Sequence, residues 1–171
     1  MKNIFLVGFM GTGKSTIARR MKQKYHMEII EMDERIEKRE GMRIPELFQT
    51  YGEEYFRNLE TELLSEIQEE ENLVVSCGGG AVLREENVRK MKACGVVVLL
   101  TASPQTILKR VRNNNRRPLL EGKKTIQDIR ELMEARRESY ESAADIRICV
   151  DNKNSEDICV EIINRAKELE K

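Results

Sequence analysis

Tryptophan is absent from this chain of 171 residues, His26 is its single histidine, and aromatic residues of all kinds make up 5%. That one imidazole precedes the second expected strand, away from the carboxyl strand ends where ligands sit, so a carboxylate is the best available general base. The four cysteines, Cys77, Cys94, Cys149 and Cys159, form no C-x-x-C pair, which argues against a zinc site and fits free thiols in a reducing cytosol. Charge of either sign is not in excess: thirty basic and thirty acidic residues cancel, so nothing indicates a nucleic-acid partner, and any basic site must be local. No apolar run approaches bilayer-spanning length. Lys2 stands ahead of only four apolar residues before Gly8, too short for the hydrophobic region of a signal peptide. The expectation is one soluble, cytoplasmic domain over residues 1–171, long enough to bury a real core and away from membranes.

What is present begins with Gly8-Phe9-Met10-Gly11-Thr12-Gly13-Lys14-Ser15, directly after the apolar run Ile4-Phe5-Leu6-Val7 and ahead of a helical pattern. G-x-x-x-x-G-K-S is the spacing of a phosphate-binding loop. Its glycines let backbone N–H groups curl around an anion, and the following helix points its positive end at the same place. Lys14 can reach terminal phosphates, and the Ser15 hydroxyl can bind magnesium. An ordinary glycine turn does not explain Lys and Ser at these two positions.

Short apolar runs alternate with segments of helical period. Strands are expected near 3–7, 27–31, 73–77, 96–101 and 146–150, several of them continuous hydrophobic runs of the kind buried on both faces of a parallel sheet. Helical patterns fall near 14–25, 33–40, 44–51, 53–70, 84–93, 104–113, 125–143 and 155–169. This βα alternation predicts an α/β, three-layer fold. Residues 33–70 form a helical insertion between strands two and three, and polar 113–124, with Pro118 and Gly122, has the look of a mobile lid. Ligands of open α/β sheets sit at the carboxyl ends of the strands. Three strand ends therefore converge on one crevice: the phosphate loop, Glu31-Met32-Asp33, and Gly78-Gly79-Gly80.

Asp33 reads equally well as a helix cap and as the carboxylate base facing the transferred phosphate. Glu31 is a solvated strand-end charge or a second acid near the metal. The triple glycine is a flexible turn, or a place where a ligand meets backbone N–H groups closely. Ser76, just before it, is a candidate water-mediated magnesium contact. Among the arginines, Arg136 falls on the apolar stripe Ile126, Ile129, Met133, Tyr140, Ala143 with no acid at helical spacing, so it should find an anion elsewhere. Arg137, between Glu134 and Glu141, reads as a surface charge. Arg57 has Glu53 and Glu60 within reach, and on local grounds these satisfy it. Arg116-Arg117-Pro118 in the lid is a solvated loop, or delivers an arginine to transition-state charge. Asn152-Lys153-Asn154-Ser155 lacks the terminal Asp of the guanine-reading N-K-x-D motif and gives no support for a GTPase.

Together, residues 8–16, Glu31-Met32-Asp33 with Ile36, Gly52 through Phe56-Arg57 and Glu60, Ser76 through Gly80, Arg116-Arg117-Pro118-Leu119-Leu120, and Arg136 four residues before Tyr140 closely resemble the shikimate kinases over essentially the whole chain. The resemblance implies a nucleoside-monophosphate-kinase-like P-loop fold with five parallel strands in the order 2-3-1-4-5. It implies ATP- and Mg2+-dependent phosphorylation of the 3-hydroxyl of shikimate, on the route to chorismate and the aromatic amino acids. By the family pattern, Asp33 binds the shikimate hydroxyls and acts as base. Arg57 and Arg136 clamp the carboxylate, which overrides the local reading of Arg57, with Glu60 orienting it. The backbone of Gly79 and Gly80 completes the pocket. Gly11, Thr12, Gly13, Lys14, Ser15 and Thr16 bind ATP, Arg117 meets its phosphates, and Arg110 and Lys153 match positions near the adenine. Where the family has Asp-x-Asp this chain has Glu31-Met32-Asp33, an acid longer by one methylene.

A related gluconate or nucleotide kinase would share the loop and fold without needing the Arg57/Arg136 pair beside a triple glycine. A regulatory module that binds nucleotide without turnover has no chemical reason to retain Lys14, Asp33 and Arg117. No long apolar helix face is left for a partner, and a monomer is expected.

Overall fold

The computed structural model describes residues 1–111 and 125–171. Lys14–Tyr25 (α1), Ile44–Tyr51 (α3) and Ser155–Leu169 (α8) form helices over the expected spans, and β1 occupies Asn3–Val7. The remaining elements are β2 Glu28–Glu31, α2 Met32–Glu40, α4 Glu53–Ile67, β3 Leu73–Ser76, α5 Glu85–Cys94, β4 Gly95–Thr101, α6 Pro104–Val111, α7 Ile126–Ala143 and β5 Ile146–Cys149. Among the described residues the strands form one parallel sheet ordered β2-β3-β1-β4-β5, the order that the family resemblance implied. No helix among these residues is long and apolar enough to cross a membrane.

β1 lies at the centre because all five of its residues are apolar or internally satisfied, and all are buried. Its one polar residue, Asn3, donates to the Glu70 carbonyl at 2.8 Å and accepts from the Leu73 N–H at 3.0 Å, so it ties the turn before β3 to the sheet. Parallel neighbours require crossover helices, and right-handed crossovers send α1 to one face and α4, α5 and α7 to the other. The contacts agree: α1 packs on α8, α4 on α5, and α6 on α7. Chain direction away from β1 and from β3 therefore differs, which opens a crevice at their adjacent carboxyl ends. The phosphate loop leaves β1 there, and the glycine turn leaves β3.

Local departures from the periodic reading have local causes. α2 starts at Met32, so Glu31 occupies the cap position and Asp33 lies in the first turn. α4 stops at Ile67 rather than 70, and the chain reverses through Asn72, which adopts a left-handed conformation with φ 61° while its side chain donates to the His26 carbonyl at 3.2 Å. After the glycines, Ala81–Leu83 makes a single 3-10 turn, too short for a periodicity signal. Thr125 is the N-cap of α7, accepting from the Asp128 N–H at 3.2 Å, rather than its first helical residue.

β4 begins at Gly95, one residue earlier than hydrophobicity suggests, because only a residue without a side chain fits against β1. A Cβ there would collide with the Asn3 carbonyl oxygen and stand 2.8 Å from the Phe5 ring. Gly95→Ala should lower the unfolding free energy by at least about 1–3 kcal/mol, the cost of overpacking a core. Urea denaturation measures it, and an unchanged midpoint would contradict the close approach.

Candidate active site

The loop after β1 uses positive φ at Gly11 (81°) and Gly13 (95°), a region that side-chain-bearing residues avoid. The curl is fastened from inside. Thr12 Oγ1 donates to the Phe9 carbonyl at 2.8 Å, and Lys14 Nζ donates to the carbonyls of Gly8 at 2.7 Å and Phe9 at 3.1 Å. The ammonium is thus largely buried in the loop itself. Ser15 Oγ donates to Glu31 Oε2 at 3.0 Å, so a hydroxyl and a carboxylate stand side by side at the ends of α1 and β2. Glu31 in turn is the register partner of Ser76 on β3, which is buried. Arg110, from α6, donates to the Gly11 carbonyl at 2.9 Å, with its Nη1 3.3 Å from where a Cβ on Gly13 would be. Thr16 faces solvent. Lys153 forms an exposed ion pair with Glu161 of α8 at 3.0 Å rather than touching the loop. Arg116, Arg117 and the expected lid, 113–124, lie outside the described residues.

The glycine turn is packed on every side by charge. A Cβ on Gly78 would lie 2.8 Å from both Asp33 Oδ1 and Glu60 Oε2. One on Gly79 would lie 2.9 Å from Arg136 Nη1 and 3.7 Å from the Tyr140 hydroxyl. One on Gly80 would lie 2.5 Å from Arg57 Cζ. The triplet is therefore no generic flexible turn: each missing side chain leaves volume that an ionic group occupies. Two guanidinium groups and two carboxylates from α2, α4 and α7 meet over three consecutive residues.

Arg57 is held as its local neighbours suggest. Nη1 donates to Glu60 Oε1 at 2.7 Å, Nη2 donates to Glu53 Oε1 at 3.2 Å, and the guanidinium carbon lies 5.3 Å from the Phe56 ring centroid and 6.0 Å from that of Phe48. The two readings of Arg57 are thus compatible: the pair with Glu60 satisfies one edge and aims the group at Gly80. Glu60 itself is fully buried, and its second oxygen, Oε2, has no hydrogen-bond partner among the described residues. Burial pushes its carboxyl up to about 7; Arg57 opposes the shift and Asp33 adds to it. Cys77 gathers the whole site: buried at the end of β3, its thiol is pushed up by burial and feels Lys14, Glu60, Asp33 and Glu31 together.

Sequence reasoning missed the support behind this cluster. Asn87 of α5, fully buried, donates to the Ala81 carbonyl at 2.8 Å and accepts from Thr61 Oγ1 at 2.7 Å, one helical turn beyond Arg57. No sequence signal marks Asn87, which reads as one more polar residue of an amphipathic helix. A cavity of about 550 Å³ lies between Leu99 and Leu100 of β4 and Met133 of α7, with Phe9 and Thr12 of the phosphate loop and Tyr140 among its walls.

This geometry defines a P-loop phosphotransferase fold: a phosphate loop on the central strand, and beside it a polar crevice with basic and acidic side chains facing one another. The sequence profile of the shikimate kinase family matches residues 10–167. The shikimate kinase of Persephonella marina is 42% identical over 98% of this chain and 100% of its own, and that of a Sulfurihydrogenibium species is 44% identical over 98% and 99%. The structure of Acinetobacter baumannii shikimate kinase in complex with shikimate superposes with a TM-score of 0.88 at 33% identity, over 96% of this chain and 92% of that one. The chain belongs to the shikimate kinase family.

Glu60 carries a pH signature. Its carboxyl is raised from an ordinary 4.5 to about 7, so the folded state binds its proton more tightly than the unfolded state does. The stability it contributes is full below about 4.5 and is lost as pH rises through about 7. Between pH 5 and 8 the protein should lose unfolding free energy relative to Glu60→Gln, measured by urea titration. Parallel curves would show that Glu60 titrates normally.

Proposed function

We propose that this protein transfers the γ-phosphoryl group of ATP to the 3-hydroxyl of shikimate, releasing ADP and shikimate 3-phosphate on the route to chorismate. The single observation that carries the reading is the meeting of Arg57, Arg136 and Asp33 around Gly78, Gly79 and Gly80, beside a phosphate loop. Two guanidinium groups at adjoining glycines suit a planar carboxylate, which neither a nucleotide sugar nor a neutral polyol supplies.

In this reading the carboxylate of shikimate pairs with Arg57, held by Glu60 and Glu53, and with Arg136 from α7. The Gly79 and Gly80 backbone lets the ring lie close. Anchoring the carboxylate fixes which hydroxyl faces the phosphate loop, replacing a collision by an oriented encounter. Asp33 accepts the proton of that hydroxyl as its oxygen bonds to the γ-phosphorus and the bond to the β–γ bridging oxygen breaks. Lys14 turns from the loop carbonyls to the transferring phosphoryl group and stabilises its charge. Gly11, Thr12, Gly13 and Thr16 hold the phosphates, Arg110 stands on the adenine side, and Arg117 is assigned to the phosphates.

Residues that suit Mg2+ are present. Among the described residues no cluster of three His, Cys, Asp or Glu could cage a metal ion. The Ser15 hydroxyl beside Glu31, with Asp33 and Ser76 near, fits a hard ion held mostly by phosphate oxygens and water. Ser15 would ligate it directly, and Glu31, Asp33 and Ser76 through water. When bound, Mg2+ supplies charge neutralisation for the phosphates.

ADP release from MgATP should be strongly stimulated by shikimate and not by gluconate or nucleoside monophosphates. Stimulation by another acceptor would remove the clamp assignment. Asp33→Asn should lower kcat by about a hundredfold or more, the lower range for general-base catalysis, and an unchanged kcat would remove it as base. Arg136→Ala should raise the KM for shikimate by roughly ten- to a hundredfold, the worth of one charge-assisted hydrogen bond, and leave the KM for ATP nearly unchanged. Equal weakening of both substrates would show that the arginine does not serve the acceptor.

A further inference from the structure

The glycine turn has no side chains of its own, so only its backbone can be held, and its grips are few. Ala81 N–H and Leu83 N–H donate back to the carbonyls of Gly78 and Gly80 at 3.1 Å each, and Asn87 holds the Ala81 carbonyl from α5. The carbonyl of Gly79 is held from the opposite side, by α7: the Tyr140 hydroxyl donates to it at 2.6 Å. Tyr140 is nearly buried, 6% exposed, and stands four residues after Arg136, on the same face of the helix. Burial raises the pKa of the phenol, with the charges of Arg136 and Arg57 opposing the rise, so near neutral pH it is a donor.

The carbonyl of Gly79 and the N–H of Gly80 belong to one planar trans peptide and point in opposite directions. Holding the first therefore aims the second. Between two glycines that peptide plane has little intrinsic preference, because neither residue restricts its dihedrals. The Tyr140 bond also ties α7, and with it Arg136, to the turn that Arg136 overhangs.

We propose that Tyr140 is a positioning residue for the acceptor site, orienting the Gly79–Gly80 peptide and holding Arg136 over it in register with Arg57. It touches no reacting atom. Its effect is confined to the acceptor side, since the phosphate loop is fastened by Thr12 and Lys14 instead. The inference rests on the shikimate reading above.

The test is Tyr140→Phe, which removes one oxygen and keeps the ring in the wall it forms. The KM for shikimate should rise about tenfold, with the KM for ATP and kcat each changed less than about threefold and ATP still raising the melting temperature by the wild-type amount. In Arg136→Ala, the added Tyr140→Phe change should cost clearly less than it does alone. Should Tyr140→Phe not fold, site-specific 2,3,5-trifluorotyrosine at 140 keeps the shape and lowers the pH at which the donor is lost. The KM for shikimate should then climb with pH beyond the change that the titration of Glu60 near 7 gives the unmodified protein. An unchanged KM for shikimate, or equal rises for shikimate and ATP, would overturn the proposal. A wild-type protein that ignores shikimate would instead sink the functional reading itself, so the two failures are distinguishable.

Discussion

The absence of side chains at three consecutive positions after β3 is the constraint on which the rest of the site depends. Asp33, Glu60, Arg136 and Arg57 all occupy the volume that Cβ atoms at Gly78, Gly79 and Gly80 would claim. Packing charge this tightly carries a cost: Glu60 is fully out of water with one oxygen unpartnered among the described residues, and a buried carboxylate survives as such only beside a fixed cation. Arg57 is that cation, and it in turn is shielded by Phe48 and Phe56. The result is a polar crevice whose charged groups are already fixed in place.

The same turn lies beside the phosphate loop. β1 and β3 are register neighbours, Leu6 opposite Ser76, so the phosphate loop and the glycine turn leave adjacent strands at one level. Glu31 extends that row from β2 and meets Ser15 at the start of α1. Cys77, between them, lies close enough to feel Lys14 and the carboxylates of Glu60, Asp33 and Glu31 at once, because the phosphate loop and these acids share one strand end. Behind this surface, the buried Asn3 and Asn87 and the half-buried Thr61 are polar residues with partners, and they fix the turns rather than the strands.

Much of this was legible without coordinates. Short continuous apolar runs alternating with helical patterns fit strands covered on both faces, and G-x-x-x-x-G-K-S after the first of them points to nucleotide chemistry at its carboxyl end. Arg136 was marked by facing the core with no acid at helical spacing, and the structure sets it over Gly79. Arg57 was ambiguous because helical neighbours reveal whether a charge is paired but not what lies across from it. Glu53 and Glu60 pair with it as local spacing suggests, yet the edge facing Gly80 depends on a residue more than twenty positions away.

The amino-acid order by itself determined the elements, their parallel arrangement and the loop that takes phosphate, because hydrophobic period, glycine placement and the Lys-Ser pair act over a few residues. Tertiary structure alone decided that Gly78, Gly79 and Gly80 are each matched to particular ionic groups, that Glu60 is desolvated, and that Tyr140 grips the Gly79 carbonyl. Those facts follow from three helices crossing above one strand end, and contacts between residues so far apart in the chain arise only when the sheet brings them together.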